Sequence, residues 1–424
     1  MKVLWVTAQI ITLVAGDLNM KASGFGGWIM NMLEQLKLEH DIQLGVAIVS
    51  SKVQVIVESE HEGIKCYIAP DCGNKGISEE NRNSIIEMFN PDIIHVEGNE
   101  FGIHNSFVKC GNKPVLLSLQ GILSGYEPYQ YGEIPISDYL FNPKSGKMIS
   151  SWVLLLRKHL LFNKRIEVEN DTIRCAKYIS GRTFWDRAHS YWINSNAKYY
   201  SCNRILRDIF YLNHWNIKKI ERYSIFVGNG YSPLKGLHFV IEAAALLKGE
   251  YPSLRVYVAG NNPIATENRK GIHKYGYSRY LLQQIKKYGL EENFVFTGSL
   301  LGDDMVKLML KCNAYCLPSL IENSPNTLGE AMMLGMPCIS AYTGGASEMA
   351  TDEECLFYRA NDPSILAWQA KRIFENDDFA ITMGEKASCH ARKTHDPLTN
   401  KNALINVYKE IFKEYYGAIN EANN

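Results

Sequence analysis

The chain has 424 residues, 46% of them hydrophobic, which allows two domains with a large core each and excludes an intrinsically disordered protein. Lys plus Arg and Asp plus Glu both total 45, so no excess of positive charge argues for a nucleic-acid partner. Ten cysteines are scattered without a C-x-x-C pair, no secretory leader precedes the first apolar run, and no apolar run is long enough to span a bilayer, so we expect a cytoplasmic protein with reduced thiols.

The first part of the chain alternates between apolar runs and helical patterns, which predicts a doubly wound parallel sheet. Strands are predicted at 2–8, 44–49, 53–57, 64–69, 93–96, 114–119 and 192–194. Gly26 and Gly27 precede a helical pattern, and glycines at a helix start let backbone N–H groups approach an anion. About fifteen residues separate them from the first strand, which argues against a nicotinamide dinucleotide site.

Residues 122–165 interrupt this alternation. Tyrosines crowd the loop 126–139, and residues 152–165 form an apolar run with a basic fringe. Two interpretations of that run stay open: a buried helix with basic ends, or a helix on a membrane surface, which would make the protein peripheral at the inner membrane face. Arg204 and Arg207 are predicted on a helix after it.

A second series of strands and helices begins at residue 223. Its strands are predicted at 223–227, 254–258, 294–296, 314–317 and 338–341. The fold class is therefore α/β, with two doubly wound Rossmann-like domains at residues 1–205 and 216–395. We expect the C-terminal helix, about residues 400–424, to pack back onto the first domain, and a cleft between the domains to bind the ligand.

The stretch Glu322-Asn-Ser-Pro-Asn-Thr-Leu-Gly-Glu330 follows the strand at 314–317, where open α/β sheets bind ligands. A helix is predicted to begin inside it. Either Ser324 caps this helix with Pro325 at its first position, or Thr327 caps it and Glu330 completes a capping box.

Such a turn would present the backbone N–H groups of Asn326, Thr327 and Leu328 to a phosphate. The carboxylates of Glu322 and Glu330 could accept hydrogen bonds from the hydroxyls of a bound polyol. In the alternative interpretation Glu330 only completes the capping box and Glu322 is a solvated loop residue.

Neighbouring strand ends carry further candidates for a phosphate or sugar. Lys235 precedes a helix and offers a positive charge, and the paired glycines Gly344 and Gly345 permit close backbone approach. Gly228, Asn229 and Gly260 lie in loops of the same kind. No D-x-D or His/Asp ligand spacing is present, so we expect neither a metal nor another cofactor.

The order of these motifs resembles the retaining nucleotide-sugar glycosyltransferases of family 4, over roughly residues 223–375. The matching motifs are Lys235-Gly236, Ala259-Gly260, Pro318-Ser319, Glu322 and Glu330-Ala331 with seven residues between the two glutamates, Gly335-x-Pro337 and Gly344-Gly345-x-x-Glu348. The resemblance implies the GT-B fold and transfer of a hexose-type sugar from a nucleoside-diphosphate sugar to a glycan or lipid-linked acceptor, as in surface polysaccharide synthesis.

The resemblance also implies roles for single residues. Glu330 would bind the ribose hydroxyls, Glu322 would face the transferred sugar, and Lys235 would hold the diphosphate with help from Gly26 and Gly27. Glu322 and Lys235 are thus the catalytic candidates. The anomeric configuration would be retained, by a front-face displacement in which the departing phosphate helps to deprotonate the acceptor.

The chain departs from the family pattern at two positions. Asn229 stands where an arginine is common, so Arg182, Arg204 or Arg207 would have to supply the missing charge to the diphosphate. Gln120 stands where many members have a histidine, and an amide can only hydrogen-bond to sugar or acceptor.

Two carboxylates beyond the strand 93–96, Glu97 and Glu100, are candidates for contacts with acceptor hydroxyls, or are simply solvated. His95 is predicted to be a core histidine of the strand.

Other functions remain open on the sequence alone. A sugar-nucleotide epimerase or a phosphorylase could use the same two-domain fold, although flanking acid/base residues and a pyridoxal lysine are not evident. An NAD-dependent oxidoreductase is opposed by the position of the glycines. A non-catalytic glycan-binding protein is opposed by the presence of both Glu322 and Glu330.

Overall fold

The computed structural model describes residues 1–20, 26–140, 148–265 and 276–422. The strands are β1 (Lys2–Thr7), β2 (Gln43–Ser50), β3 (Val57–His61), β4 (Ile64–Pro70), β5 (Ile93–Glu97), β6 (Val115–Ser118), β7 (Tyr178–Gly181), β8 (Lys198–Ser201), β9 (Ser224–Val227), β10 (Arg255–Ala259), β11 (Phe294–Gly298), β12 (Ala314–Leu317), β13 (Cys338–Ala341) and β14 (Leu356–Tyr358). The helices are α1 (Thr12–Ala15), α2 (Gly27–Lys37), α3 (Glu79–Phe89), α4 (Gly102–Val108), α5 (Leu123–Tyr126), α6 (Ile136–Leu140), α7 (Met148–Cys175), α8 (Phe184–Ile193), α9 (Asp208–Tyr211), α10 (Leu237–Leu247), α11 (Tyr277–Lys287), α12 (Gly302–Lys311), α13 (Asn326–Met333), α14 (Pro363–Glu375), α15 (Asp377–Thr394) and α16 (Pro397–Ala422).

The chain forms two compact units. The first unit contains Met1–Gly125, Asn163–Leu206 and His395–Asn424, and the second contains Tyr126–Phe162 and Arg207–Thr394. Within the described ranges, no helix is long and apolar enough to cross a membrane.

The first unit is built on an eight-stranded sheet in the order β3-β4-β2-β1-β5-β6-β7-β8. Every neighbouring pair is parallel except β3 and β4, which form a hairpin. Glu62 and Gly63 both have positive φ at its two-residue turn, as type I′ hairpins require, and this sets the register His61↔Ile64. The strand predicted at 53–57 instead spans Val57–His61.

The central strands of this sheet are buried, and α2 and α16 pack together at its side. Ile29 and Leu33 of α2 share one apolar cluster with Tyr408 and Ile411 of α16. Burial of such side chains contributes about 1.5–3 kcal/mol each relative to their exposure, and it holds the C-terminal helix in the first unit.

The last strand of the first unit is β8, and the strand predicted at 192–194 is wrong. Those residues end α8, which begins at Phe184 because the hydroxyl of Thr183 caps it by accepting a hydrogen bond from the backbone N–H of Asp186. The apolar residues Trp192 and Ile193 belong to the last turn of this helix.

The second unit is built on a six-stranded sheet in the order β11-β10-β9-β12-β13-β14, and all of its neighbouring strands are parallel. Three of the four inner strands, β9, β12 and β13, are fully buried. Helix α13 packs against β12 and β13, and α14 packs against β13, α10 and α15. In a parallel sheet of this kind, the loops after adjacent strands meet at the carboxyl edge.

Residues 126–162 belong to the second unit, although the sequence placed them in the first domain. His238 Nε2 lies 2.9 Å from the carbonyl oxygen of Gly132, and Arg279 Nη2 donates to the carbonyl oxygen of Asp138 at 2.8 Å. These long-range bonds tie the tyrosine-rich segment to α10 and α11, a pairing that no local pattern signals.

The helix predicted at 152–165 is part of α7, but it is not an ordinary buried helix. Val153, Leu156, Leu160 and Leu161 keep between 53% and 61% of their surface exposed. Arg204 and Arg207 lie before α9 and not on a helix, since α9 begins at Asp208.

Candidate active site

The start of α13 follows β12 and an eight-residue loop. Pro325 is the cap residue, in an extended conformation, and no side chain caps the helix. Both capping predictions are therefore wrong. The hydroxyl of Ser324 contacts the sulfur of Met349, and Glu330 makes no capping box because its carboxylate pairs with Arg207.

The backbone of this first turn leaves donors available. Leu328 N donates to the carbonyl oxygen of Pro325 at 3.0 Å, so the helix itself uses that group. Asn326 N and Thr327 N precede it and donate to no acceptor within the described part of the chain. The hydroxyl of Thr327 instead bonds with the hydroxyl of Tyr315 on β12 at 2.8 Å. The uncapped end is suited to an anion.

Lys235 and Glu322 meet beside this helix end. Lys235 Nζ lies 2.5 Å from Glu322 Oε1, and the hydroxyl of Ser319 donates to the same oxygen at 2.7 Å. Glu322 is buried, whereas Lys235 is only partly buried. This ion pair places a positive and a negative group at the carboxyl ends of β9 and β12.

Two glycines let these loops approach each other. Gly236 has φ +69°, and a Cβ there would lie 1.9 Å from the carbonyl oxygen of Pro318. Gly344 has φ +49°, and a Cβ there would lie 2.0 Å from the carbonyl oxygen of Glu322. Gly345 N donates to that same oxygen at 3.0 Å. Only glycine fits either position without moving the loop that carries Glu322.

Glu330 of α13 is buried, and its carboxylate accepts two hydrogen bonds from the guanidinium of Arg207. Arg207 Nε and Nη2 donate to Oε1 and Oε2 of Glu330, each at 2.8 Å. Burial raises the pKa of Glu330, and the charge and hydrogen bonds of Arg207 oppose that rise. The sequence offered Arg207 as one of three arginines that could supply the missing charge at the diphosphate, whereas in the structure Arg207 pairs with the carboxylate predicted to bind ribose.

The loop after β9 also reaches α13. A Cβ on Gly228 would lie 3.4 Å from Thr327, and a Cβ on Gly260 would lie 3.7 Å from Asn229. Asn229 Oδ1 accepts a hydrogen bond from Tyr231 N at 3.0 Å, so this amide closes a local turn. The predicted residues of the second unit thus gather at the carboxyl ends of β9, β10, β12 and β13.

The carboxyl edge of the first sheet is organised around Glu97. Its Oε1 accepts from Arg204 Nη2 at 2.7 Å and from Trp28 Nε1 at 3.1 Å. The guanidinium lies 4.6 Å from the centre of the Trp28 ring, and burial lowers the pKa of Arg204 to about 9. Glu97 is therefore not a solvated rim residue, since it is buried and its carboxylate is paired inside the unit.

The other candidates of the first unit lie near this pair. Glu100 pairs with Arg165 Nη2 at 2.5 Å. Gln120 Nε2 donates to the carbonyl oxygen of Glu97 at 3.4 Å, and Arg182 Nη2 donates to the carbonyl oxygen of Gln120 at 3.0 Å. Gly26 has φ +84° and is the cap residue of α2, which begins at Gly27. These residues stay candidates, but none lies in the same unit as Lys235.

His95 is a core histidine, as the sequence predicts. Its Nδ1 lies 2.5 Å from the hydroxyl of Tyr408, its Nε2 lies 2.8 Å from the hydroxyl of Ser118, and burial lowers its pKa to about 4.

The sequence missed Glu169 of α7, which is completely buried in the first unit. It accepts hydrogen bonds from Asn99 Nδ2 at 2.9 Å and from Ser124 N at 3.2 Å, and burial raises its pKa to about 8. The signal available was its helical spacing from the apolar Ile173, which points to an inward face.

The described part of the chain has no group of three or more His, Cys, Asp or Glu side chains that could hold a metal ion.

Comparison with known families and proteins agrees with the geometry of the second unit. Residues 210–389 match the family model described as glycosyl transferases group 1. A phosphatidylinositol N-acetylglucosaminyltransferase gpi3 subunit of Schizosaccharomyces pombe is 25% identical over 195 residues, 45% of this chain and 37% of that protein. An N-acetyl-alpha-D-glucosaminyl L-malate synthase of Bacillus anthracis is 22% identical over 211 residues, 50% of this chain and 49% of that protein. The chain thus spans half or less of these relatives' length.

Solved structures share the fold over nearly the whole chain. A sucrose-phosphate synthase from Thermosynechococcus elongatus has a TM-score of 0.72 and 14% identity, covering 98% of this chain and 100% of that one. The Anabaena protein Alr3699/HepE, solved in complex with UDP-glucose, has a TM-score of 0.62 and 15% identity, covering 97% of this chain and 100% of that one. Both carry two Rossmann-like domains of the GT-B type, which is the fold of this chain.

Proposed function

From the premise that the chain has the GT-B fold and carries a group 1 glycosyltransferase domain, we propose that it transfers a sugar from a nucleoside-diphosphate sugar to a glycan or lipid-linked acceptor. The observation that supports this most is the meeting of Lys235, Glu322 and the uncapped start of α13 at one sheet edge. A cation, backbone N–H groups and carboxylates at one place suit a molecule with a diphosphate at one end and hydroxyls at the other.

In the proposed reaction the diphosphate is the leaving group. Its charge grows as the bond to the anomeric carbon breaks, and a positioned cation and N–H groups stabilise that charge. Lys235 supplies the cation, and Asn326 and Thr327 supply the N–H groups. When Lys235 turns to the diphosphate, Glu322 is released to accept hydrogen bonds from the sugar.

We further propose that the anomeric configuration is retained. The acceptor oxygen then bonds to the anomeric carbon on the face that the diphosphate leaves, and the acceptor proton passes to a diphosphate oxygen. The products are the glycoside and a nucleoside diphosphate.

No divalent cation takes part in this proposal, so activity should survive EDTA. Complete loss of activity with EDTA and its recovery with Mg²⁺ or Mn²⁺ would contradict the proposal.

The test of the donor is a thermal-shift screen of nucleosides, nucleoside diphosphates and their sugars. UDP and UDP-glucose come first because Alr3699/HepE is solved with them. A nucleotide at about 100 times its Kd should stabilise the protein by about 2.7 kcal/mol. The matching nucleoside without phosphate should do far less. The proposal fails if no sugar nucleotide raises the unfolding temperature.

Lys235→Ala should weaken nucleoside-diphosphate binding by about ten- to a hundred-fold, because one charge-assisted contact contributes about 1.5–3 kcal/mol. The control is Lys311→Ala in the same unit, which removes a lysine paired with Glu221. Calorimetric titration measures both variants. Equal affinities of the two variants would remove Lys235 from the site.

The acceptor side is proposed to work at a membrane surface. Val153, Leu156 and Leu160 recur at spacings of three and four along α7, which places them on one face, and Leu161, eight residues after Val153, is exposed beside them. Residues 148–166 contain four Lys or Arg and no Asp or Glu. An exposed apolar stripe in a basic segment suits anionic lipid headgroups.

Sedimentation with phosphatidylserine-containing vesicles tests this membrane contact. The double variant Leu156→Glu/Leu160→Glu should lose most vesicle binding, while Leu246→Glu, at an equally exposed leucine of α10, should keep it. A wild-type protein that binds neither anionic nor neutral vesicles would end the membrane proposal and leave the donor site untouched.

A further inference from the structure

The lysine proposed to bind the diphosphate is carried by a short turn that depends on its neighbours. Pro233–Lys235 form a single 3-10 turn, which is closed by a hydrogen bond from Gly236 N to the carbonyl oxygen of Pro233 at 3.0 Å. Leu320 N donates to the carbonyl oxygen of Leu234 at 2.8 Å, which ties the turn to the loop after β12. Hydrogen bonds of a 3-10 turn have poor geometry, so the contacts around the turn decide where its lysine points.

Gly132 packs against this turn from a distant part of the sequence. Both belong to the second unit. Gly132 has φ +69°, and a Cβ there would lie 2.8 Å from the carbonyl oxygen of Pro233 and 2.9 Å from its carbonyl carbon. This is the carbonyl oxygen that closes the turn. Only glycine adopts this conformation and approaches so closely without displacing that oxygen.

His238, in the first turn of α10, holds Gly132 at this place. Its Nε2 lies 2.9 Å from the carbonyl oxygen of Gly132, and its Nδ1 lies 3.3 Å from the hydroxyl of Tyr277. A carbonyl oxygen can only accept, so Nε2 carries the proton and Nδ1 accepts from the hydroxyl. The imidazole is buried, and burial lowers the pKa of His238 to about 4, so the ring stays neutral at neutral pH.

Two further hydrogen bonds hold the segment around Gly132 on the second unit. Arg279 Nη2 of α11 donates to the carbonyl oxygen of Asp138 at 2.8 Å, and Asn361 Nδ2 donates to Glu133 Oε2 at 2.8 Å. Glu133 itself has φ +57°, which is uncommon for a residue with a side chain. Several contacts on different elements therefore fix the close approach of Gly132 to the turn.

We propose that Gly132 and His238 are positioning residues for Lys235, which hold the turn Pro233–Lys235 so that the ammonium group reaches a bound diphosphate. This inference rests on the proposed function, because it takes Lys235 as the residue that binds the diphosphate. Neither Gly132 nor His238 needs to touch the ligand. The segment around Gly132 thus contributes to the donor site through the backbone that carries the lysine.

The experiment measures how much the diphosphate adds to the binding of a nucleoside. UDP, or the nucleoside diphosphate that the thermal-shift screen selects, is compared with its nucleoside by calorimetric titration. Gly132→Ala and His238→Met should each weaken nucleoside-diphosphate binding by about five- to twenty-fold, a large part of one charge-assisted contact, and leave nucleoside binding near the wild-type value.

His238→Gln separates positioning from a general loss of stability. The side-chain amide nitrogen of glutamine can replace Nε2 as the donor to Gly132, so this variant should recover most of the affinity lost in His238→Met. A merely weakened fold would lower the affinity for the nucleoside as well. The variants at 132 and 238 are independent, so one folded variant is enough for the test.

A double-mutant cycle shows whether the effect passes through Lys235. Because Gly132 acts by placing the ammonium group, Gly132→Ala in a Lys235→Ala background should cost less than about two-fold in further affinity. The matched control is Gly289→Ala in the same unit. Gly289 has φ +62°, and a Cβ there meets only the end of the Lys248 side chain at 3.4 Å. This variant carries similar backbone strain and should leave nucleotide affinity unchanged.

The outcomes separate this inference from the proposed function. Absence of nucleotide binding by wild type, or wild-type affinity in Lys235→Ala, contradicts the proposed donor site. A clear loss in Lys235→Ala with full affinity in a folded Gly132→Ala or His238→Met overturns the positioning role and leaves the proposed function standing. Losses that add in the double variant overturn it in the same way.

Discussion

The two sheets each place a glutamate against a cation at their carboxyl edge, but the surroundings differ. In the first unit Arg204 is 12% exposed, lies on Trp28 and binds Glu97 inside the unit. In the second unit Lys235 is 26% exposed and binds Glu322 next to an uncapped helix and two closely packed glycine loops. The first pair is closed into the fold, whereas the second is left where a ligand can displace it.

The difference shows what makes a charged pair a site. A buried pair that has all its partners is costly to break and offers nothing to a ligand. A half-open pair beside free N–H groups can exchange one partner for another at little cost. The variants below test whether the two edges differ in this way.

The largest effect is expected in the first unit. Arg204→Met leaves the buried carboxyl of Glu97 without its cationic partner, which costs about 3–5 kcal/mol of folding stability. Thermal unfolding should show an early transition, while the affinity for a nucleoside diphosphate, measured below that transition, stays near the wild-type value. A stable variant that has lost nucleotide binding would place Arg204 in the ligand site and remove the contrast.

A smaller effect is expected from Gly344→Ala in the second unit. The new Cβ cannot stay 2.0 Å from the carbonyl oxygen of Glu322, and φ +49° is strained for alanine, so the loop shifts at a cost of about 1–3 kcal/mol. Nucleotide affinity should fall with it, because the loop carries Glu322. Gly249→Ala, where a Cβ meets nothing within 4 Å, is the control and should change neither quantity. Full affinity in Gly344→Ala would mean that the loop does not form the site.

An effect that depends on pH concerns Glu169, a buried carboxyl of the first unit that accepts hydrogen bonds from the uncharged donors Asn99 Nδ2 and Ser124 N. Its pKa rises on folding from 4.5 to about 8. The folded state therefore binds the proton more tightly, and the stability gained is complete below pH 4.5 and is lost as the pH rises toward 8. The loss is up to about 1.4 kcal/mol per pH unit.

Glu169→Gln removes this titration, so the unfolding temperature of wild type minus that of the variant should fall as the pH rises from 5 to 8. A difference that stays constant over this range would show that Glu169 is not protonated in the fold.

The carboxyl edge of the second unit's sheet could be predicted from the sequence, because each of its residues lies close in sequence to the strand that it follows. Lys235, Glu322 and Gly344 each follow an apolar strand by a few residues, and adjacent parallel strands bring such loops together whatever the rest of the chain does. The cap of α13 was not predicted correctly, since Pro325, Ser324 and Thr327 all satisfy the same local rules and tertiary contacts decide between them.

The sequence could not predict which arginine pairs with which glutamate, for a different reason. Arg207 and Glu330 are 123 residues apart, and Arg204 and Glu97 are 107 apart. No spacing in the sequence selects one arginine for one glutamate. Which carboxylate stays open to a ligand depends on that choice, so the first edge could only be described as a set of candidates.

The most direct test is a crystal structure of the protein with a bound nucleoside diphosphate. The diphosphate should lie within about 3 Å of Lys235 Nζ and at the N–H groups of Asn326 and Thr327, with the ribose at the carboxylate of Glu330. A nucleotide bound elsewhere, or one whose ribose makes no contact with Glu330 while Lys235 stays paired with Glu322, would contradict the assignment of this edge as the donor site.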